Sequence, residues 1–180
     1  ARFDLSGRVL TYDRYRPFID LAGGFTIPEE QKPRISAEAD KVLGEEIPQL
    51  LAHEYIMFSR NGNRSVYESK YFPRRTMLLT LALGEYVERK GRYIDKMIDL
   101  LWLILEETSW VIHAHAVHNP ANPGADVPPV YNESDLHGLD LFAGATGALL
   151  TMTLTLNRAA IDSVSPIISE RMEYEIQKRI

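Results

Sequence analysis

Within ten positions, Glu106, Glu107, Trp110, His113 and His115 bring together the side chains that acid–base chemistry or sugar recognition requires. Two carboxylates can divide into a proton donor and a proton acceptor, and with Asp140 they would make the acidic set of a glycoside hydrolase. Neighbouring positions on a helix point about 100° apart, so a helical Glu106 and Glu107 cannot both address one substrate bond. The other assignment is one capping or ion-paired Glu and one solvated Glu. An indole at Trp110 suits stacking on the C–H face of a sugar ring, and equally suits an ordinary core. His113, His115 and His118 invite a metal, because imidazole is the commonest ligand, but no further ligands accompany them at a recognisable spacing. Cleft-lining or structural histidines and a catalytic base are the alternatives, and neither a metal nor another cofactor is assigned. The candidate substrate-binding residues are Glu107, Trp110, His113 and His115, with Glu107 positioning Trp110 and His115. None is assigned as catalytic. Tyr67, Tyr71, Tyr86 and Tyr93 offer phenolic bases or, at helical spacing, core and rim. In Asn61-Gly62-Asn63-Arg64 the guanidinium could meet a carboxylate, or the four residues could simply join two helices.

These residues need a scaffold, and the pattern around them is helical. Leu100–Leu105 is apolar without a break, which an amphipathic surface helix does not tolerate, so a buried helix over Arg92–Thr108 is expected to end in a polar and aromatic mouth. Before it, Arg74–Arg89 repeats apolar residues at the 3.6 period, and the short link through Gly91 predicts an antiparallel hairpin. Ser36 is expected to cap Ala37–Leu43, with Gly44 closing it. Pro48 would sit in the first turn of Ile47–Phe58, and Ser65 with Glu68 forms a capping-box pattern. Pro73 predicts a break or kink. Residues 1–34 read as an irregular segment with short helical turns, and 35–180 as the helical domain. Asn119–Pro129 is a Pro-rich surface loop, and a helix follows from Asp135 with small residues at Ala143, Gly144, Ala145, Gly147 and Ala148 to admit a close neighbour. Ser165-Pro166 starts a last amphipathic helix with Ile167, Ile168, Met172 and Ile176 inward. No alternating strand appears. The fold class is all-α, an array of antiparallel helical hairpins.

At 180 residues, 45% hydrophobic and 25% charged, the chain has the composition of an ordinary globular domain. A net charge of −5 without a basic run argues against nucleic acid or an anionic membrane as the main partner. With no Cys there is neither a disulfide framework nor a thiolate nucleophile, and the compartment stays open.

The stretches GNRSVYESKYFPRR (62–75), GRYIDKMIDLLWLILEETSWVIHAH (91–115), LDLFAGATGALL (139–150) and SPIISERMEYEIQKRI (165–180) together resemble the N-terminal helical region of heparinase II/III-like polysaccharide lyases. The resemblance covers most of residues 45–180. It implies that the hairpins form part of an (α/α) toroid around a cleft, followed in the family by an all-β domain. It implies β-elimination on uronic-acid polysaccharides, in which an Asn or His neutralises the carboxylate and a Tyr or His takes the C5 proton. In the family those residues lie further along the chain than Arg179-Ile180, so this stretch is expected to be part of a larger lyase and inactive alone. The family's usual proline before Ala-His is here His113, a departure that touches the geometry of this loop.

Two functional classes follow: a toroid portion contributing cleft wall and contacts to an acidic polysaccharide or oligosaccharide, or a helical scaffold that binds sugar or protein and catalyses nothing. An interrupted toroid also leaves its last helices without neighbours. On that ground Ile167, Ile168, Met172 and Ile176 are expected to drive a two-fold homodimer through the terminal helices.

Overall fold

Pro33 lies in the first turn of the first helix, where its missing N–H removes no intrahelical bond, so helix α1 begins at Lys32 and runs to Leu43. Ser36 is therefore an interior residue rather than a cap, and a single 3-10 turn, Glu29–Gln31, leads into the helix. The structure, a computed structural model, describes residues 26–116 and 139–180. Helix α2 covers Ala52–Asn61, α3 Ser65–Glu88, α4 Ile94–Leu105, α5 His113–Ala116, α6 Leu141–Val164 and α7 Pro166–Arg179. The described residues contain no strand, and no described helix is long and apolar enough to cross a membrane. The expected loop at Asn119–Pro129, the helix start at Asp135, His118 and the first 25 residues lie outside the described residues.

Several boundaries differ from the sequence reading for local reasons. Pro48 stays in an extended lead to α2, where its carbonyl accepts a hydrogen bond from Arg74 Nε at 2.7 Å, and the helix starts only at Ala52. Gly62 then closes α2 in the left-handed conformation at φ 74°, which glycine adopts without strain. The Asn61–Arg64 stretch is the helix-joining turn: Asn61 Oδ1 accepts from Asn63 N–H at 3.0 Å, Asn63 Oδ1 accepts from Val66 N–H at 3.3 Å, and Arg64 pairs with Glu68. Asn63 thus supplies the cap in place of Ser65, and Glu68 is spent on Arg64. Pro73 does not break α3, which continues through it, held on both sides by buried Tyr71, Arg74 and Met77. Helix α4 stops at Leu105, so Glu106 and Glu107 stand beyond its end. The apolar run of α4 is not buried all round. Leu100, Leu101, Ile104 and Leu105 are in the core, while Trp102 is 38% exposed.

Helix α3 is the centre of the array. It makes an antiparallel hairpin with α4, joined by a link in which Arg89 and Gly91 take positive φ, and Arg75 near its middle meets Glu107 past the end of α4. Helix α6 runs parallel to α3: Thr146 lies beside Tyr71 and Arg75, and one turn after another later Asn157 Nδ2 donates to the Ala82 carbonyl at 3.0 Å. The bend at Ser165, with extended backbone, sends α7 back antiparallel along α6, so that Ile180 returns to Gly147. Ile168 and Met172 are buried in the same core as Leu101, Leu150 and Leu154, and Ile176 packs against it. Of the four residues expected to form an open dimer face, only Ile167 points outward, at 65% exposure. The other three are covered by the chain's own helices.

Helix α1 crosses α3 at Gly84, where an added Cβ would stand 2.5 Å from Ala39 Cβ and 3.1 Å from the Tyr93 ring. Helix propensity alone favours Ala over Gly by about 1 kcal/mol. Here overpacking wins, and Gly84→Ala is expected to destabilise the protein by roughly 1–3 kcal/mol in urea unfolding. Gly144→Ala, whose added Cβ meets nothing within 4 Å, should be stabilising in the same assay. Equal effects at the two sites would show that α1 does not seat against α3 at this contact.

Candidate functional site

Past the end of α4 the chain must turn back under α3, and the turn is fixed by charge. Glu107 enters the protein while Glu106 stays at the surface. The Glu107 carboxylate takes both guanidiniums that follow Pro73: Arg75 binds it through both terminal nitrogens, Nη1 at 2.9 Å from Oε1, and Arg74 Nη1 reaches the same Oε1 at 3.2 Å. All three side chains are nearly removed from solvent. Burial works against the Arg75 charge, but Glu107 beside it more than compensates and raises its pKa. Arg75 also lies 3.4 Å over the centre of the Tyr71 ring and donates to Thr146 Oγ1 at 3.2 Å, tying α3 to α6.

Trp110 is 1% exposed. Its indole Nε1–H donates to the Ile104 carbonyl at 2.9 Å, Tyr71 donates to its backbone carbonyl at 2.6 Å, and Arg179 from α7 lies 4.6 Å over the ring. Arg179 also donates to the carbonyls of Glu107 and Leu105, at 2.7 and 3.2 Å. Trp110 is thus a wedge between α3, α4 and α7, and a ring covered in this way offers no platform for a sugar.

His113 is also buried, stacked face to face on Tyr55 with centroids 4.3 Å apart and met edge-on by Phe58. Its Nδ1 contacts the Tyr55 carbonyl, which can only accept, so Nδ1 donates there, and Nε2 is hydrogen-bonded to Ser59 Oγ, 3.0 Å away. Both nitrogens are used in docking α5 on α2. His115 is partly exposed. Its Nδ1 lies 2.6 Å from Asp140 Oδ2, and Phe142 stacks on its ring. Asp140 uses its other oxygen to cap α6 at Ala143 N–H, 2.7 Å. Asp140 and the two glutamates are therefore not one acidic set: each has its own partners. Among the described residues no three His, Asp or Glu side chains come together to hold a metal ion.

A cavity of about 310 Å³ opens between α2, α3 and the turn after α4, with Leu50, Tyr55, Tyr67, Arg74, Glu107 and Ser109 among its walls and Glu106 also bordering it. Of the four residues singled out in the sequence, only Glu107 borders it. Tyr55 and Tyr67 meet edge to face, with centroids 5.1 Å apart. Burial raises the pKa of both phenols, with the negative charge of Asp140 adding to it at Tyr55 and that of Glu107 at Tyr67, so both are hydroxyl donors at neutral pH. Neither phenol oxygen, nor Arg74 Nη2, has a hydrogen-bond partner among the described residues. Glu107 by contrast is saturated. The lining residues therefore bring unspent donors from Tyr55, Tyr67 and Arg74, the last a guanidinium beside the Glu107 carboxylate and the surface carboxylate of Glu106, an arrangement that favours a ligand with acceptor oxygens. Tyr55 and Arg74 had no functional signal of their own in the sequence beyond the Arg-Arg pair after Pro73.

The chain matches no model of a known protein family and no curated protein.

Proposed function

We propose that this chain is the toroid portion of a heparinase II/III-like polysaccharide lyase, and that the cavity between α2 and α3 is a subsite for an acidic sugar on the wall of its cleft. The observation that carries the reading is that Tyr55, Tyr67 and Arg74, each with an unspent donor, line a cavity large enough for one sugar ring. The motif resemblance of residues 62–75 and 91–115 supports it. In this reading the chain binds and orients, and proton transfer belongs to residues elsewhere in the lyase, since burial keeps both cavity phenols protonated. The alternative is a non-catalytic helical scaffold. It draws on the use of Glu107, Trp110 and His113 as links between helices.

Titration with glucuronate and with an alginate-derived uronate trimer, followed by NMR, tests the subsite. Glucuronate is expected to bind more tightly than glucose, and Tyr67→Phe, which removes one donor to a charged acceptor, should weaken it by about tenfold. No unsaturated, ultraviolet-absorbing product should accumulate. Equal binding of glucose and glucuronate, or an unchanged Tyr67→Phe, would overturn the reading.

A further inference from the structure

The chain has two tryptophans, and the structure treats them oppositely: Trp110 is sealed in the core, whereas Trp102 is 38% exposed on a helix whose buried apolar residues are at 5% or less. An indole left at the surface is the more informative of the two, because its apolar area could have been covered as its neighbours' is. Its surroundings are ordered. The Arg171 guanidinium, from α7, lies 4.2 Å from the centre of the Trp102 ring and 3.8 Å from Glu106 Oε1. Glu106 N–H in turn donates to the Trp102 carbonyl at 3.0 Å, which places the two side chains one turn apart on the same face. Glu106 and Leu103 both border the cavity. Trp102 is thus next in sequence to one lining residue and one helical turn before another, about 6 Å from Glu106 along the helix axis, a distance comparable to one pyranose ring.

We propose that Trp102 and Arg171 form a second sugar subsite, contiguous with the cavity, in which the next ring of an acidic oligosaccharide packs against the indole and its carboxylate pairs with Arg171. This rests on the cavity being an acidic-sugar subsite, and adds a residue and a minimum ligand length to it. The chemistry suits each group. The exposed part of an indole accepts the apolar C–H face of a sugar, and a guanidinium already held beside that indole presents N–H donors to a carboxylate with little ordering left to do. The contact between Arg171 and Glu106 is long and half exposed, so exchanging it for a ligand carboxylate costs little.

Intrinsic fluorescence separates the two tryptophans, because only Trp102 is open to an aqueous quencher such as iodide. Adding the uronate trimer to the wild-type chain is expected to shift the emission and protect it from iodide, while glucuronate, which fills the cavity alone, should do neither. Trp102→Phe should abolish the emission response and weaken trimer binding by roughly threefold to tenfold, with glucuronate binding unchanged. Arg171→Gln should weaken the trimer and leave glucuronate unchanged. A trimer that binds no more tightly than glucuronate, or that binds Trp102→Phe as well as the wild type, overturns the second subsite and leaves the cavity reading standing. If neither saccharide binds the wild-type chain, the cavity reading fails and the second subsite with it.

Discussion

Replacing Glu107 by Gln is expected to destabilise the protein by at least about 3 kcal/mol, the range seen when one partner of a buried ion pair is removed. The reason lies in the numbers of charges. One carboxylate faces Arg74 and Arg75, and the three side chains are 6%, 6% and 11% exposed. A glutamine can still accept one hydrogen bond, but it leaves two guanidiniums buried side by side without a counter-ion. Glu106→Gln is the matched control: its side chain is 51% exposed and its ion pair with Arg171 is 3.8 Å long, so the expected change is within about 0.5 kcal/mol. Urea unfolding of the two variants measures both values. A Glu107→Gln protein within about 1 kcal/mol of the wild type would mean that the two arginines find other partners or water, and that the turn after α4 is not held by this carboxylate. Removing the whole triad should be far milder than removing its centre. Met at positions 74, 75 and 107 together replaces charge by apolar volume, and comparison with the single variants yields the coupling directly.

The periodic part of the chain was legible because burial follows helix period. The α3–α4 hairpin, the small-residue helix α6 and, except for the outward Ile167, the inward face of α7 announce themselves by apolar spacing. Errors arose where a local signal met a stronger tertiary one. Pro73 signals a break or kink, and the break does not occur: α3 runs through it, because the residues on either side are fixed by the Arg75–Tyr71–Thr146 contacts and the core. Ser36 and Ser65 look like caps, but Pro33 and Asn63 sit better placed. The site was harder to read for a different reason. Chemical residue types in LLWLILEETSWVIHAH mark an important turn, but types do not tell which side chains face the cavity. That is decided by where α4 ends. Stopping at Leu105 rather than Thr108 sends Glu107 into the arginine pair and Trp110 under α3, and it leaves Tyr55 and Tyr67, from other helices, as the wall. The exposure of Trp102 has the same origin: an unbroken apolar run reads as buried on every side, and only the packing of α7 against α4 determines which of its residues remains outside.

Trp110→Ala is expected to lower stability by about 3–5 kcal/mol, the usual cost of deleting a large buried side chain, and to bring the melting temperature down by roughly 10 °C or more for a chain of this size. Three losses act together. The cavity left by the indole lies between α3, α4 and α7, so it cannot collapse without moving a helix that the other two hold. The Ile104 carbonyl loses its indole donor near the end of α4, where helix carbonyls already lack partners. Arg179 loses the ring beneath its guanidinium, although its bonds to the Glu107 and Leu105 carbonyls remain. Trp110→Phe keeps most of the volume and removes only the donor, and should cost about 1–2 kcal/mol. At a temperature where the folded fraction is preserved, both variants should bind uronate with affinity close to that of the wild type, because Trp110 borders neither the cavity nor the Trp102 surface. A Trp110→Ala protein as stable as the wild type but impaired in saccharide binding would reverse the assignment, returning this indole to the sugar and taking it out of the core.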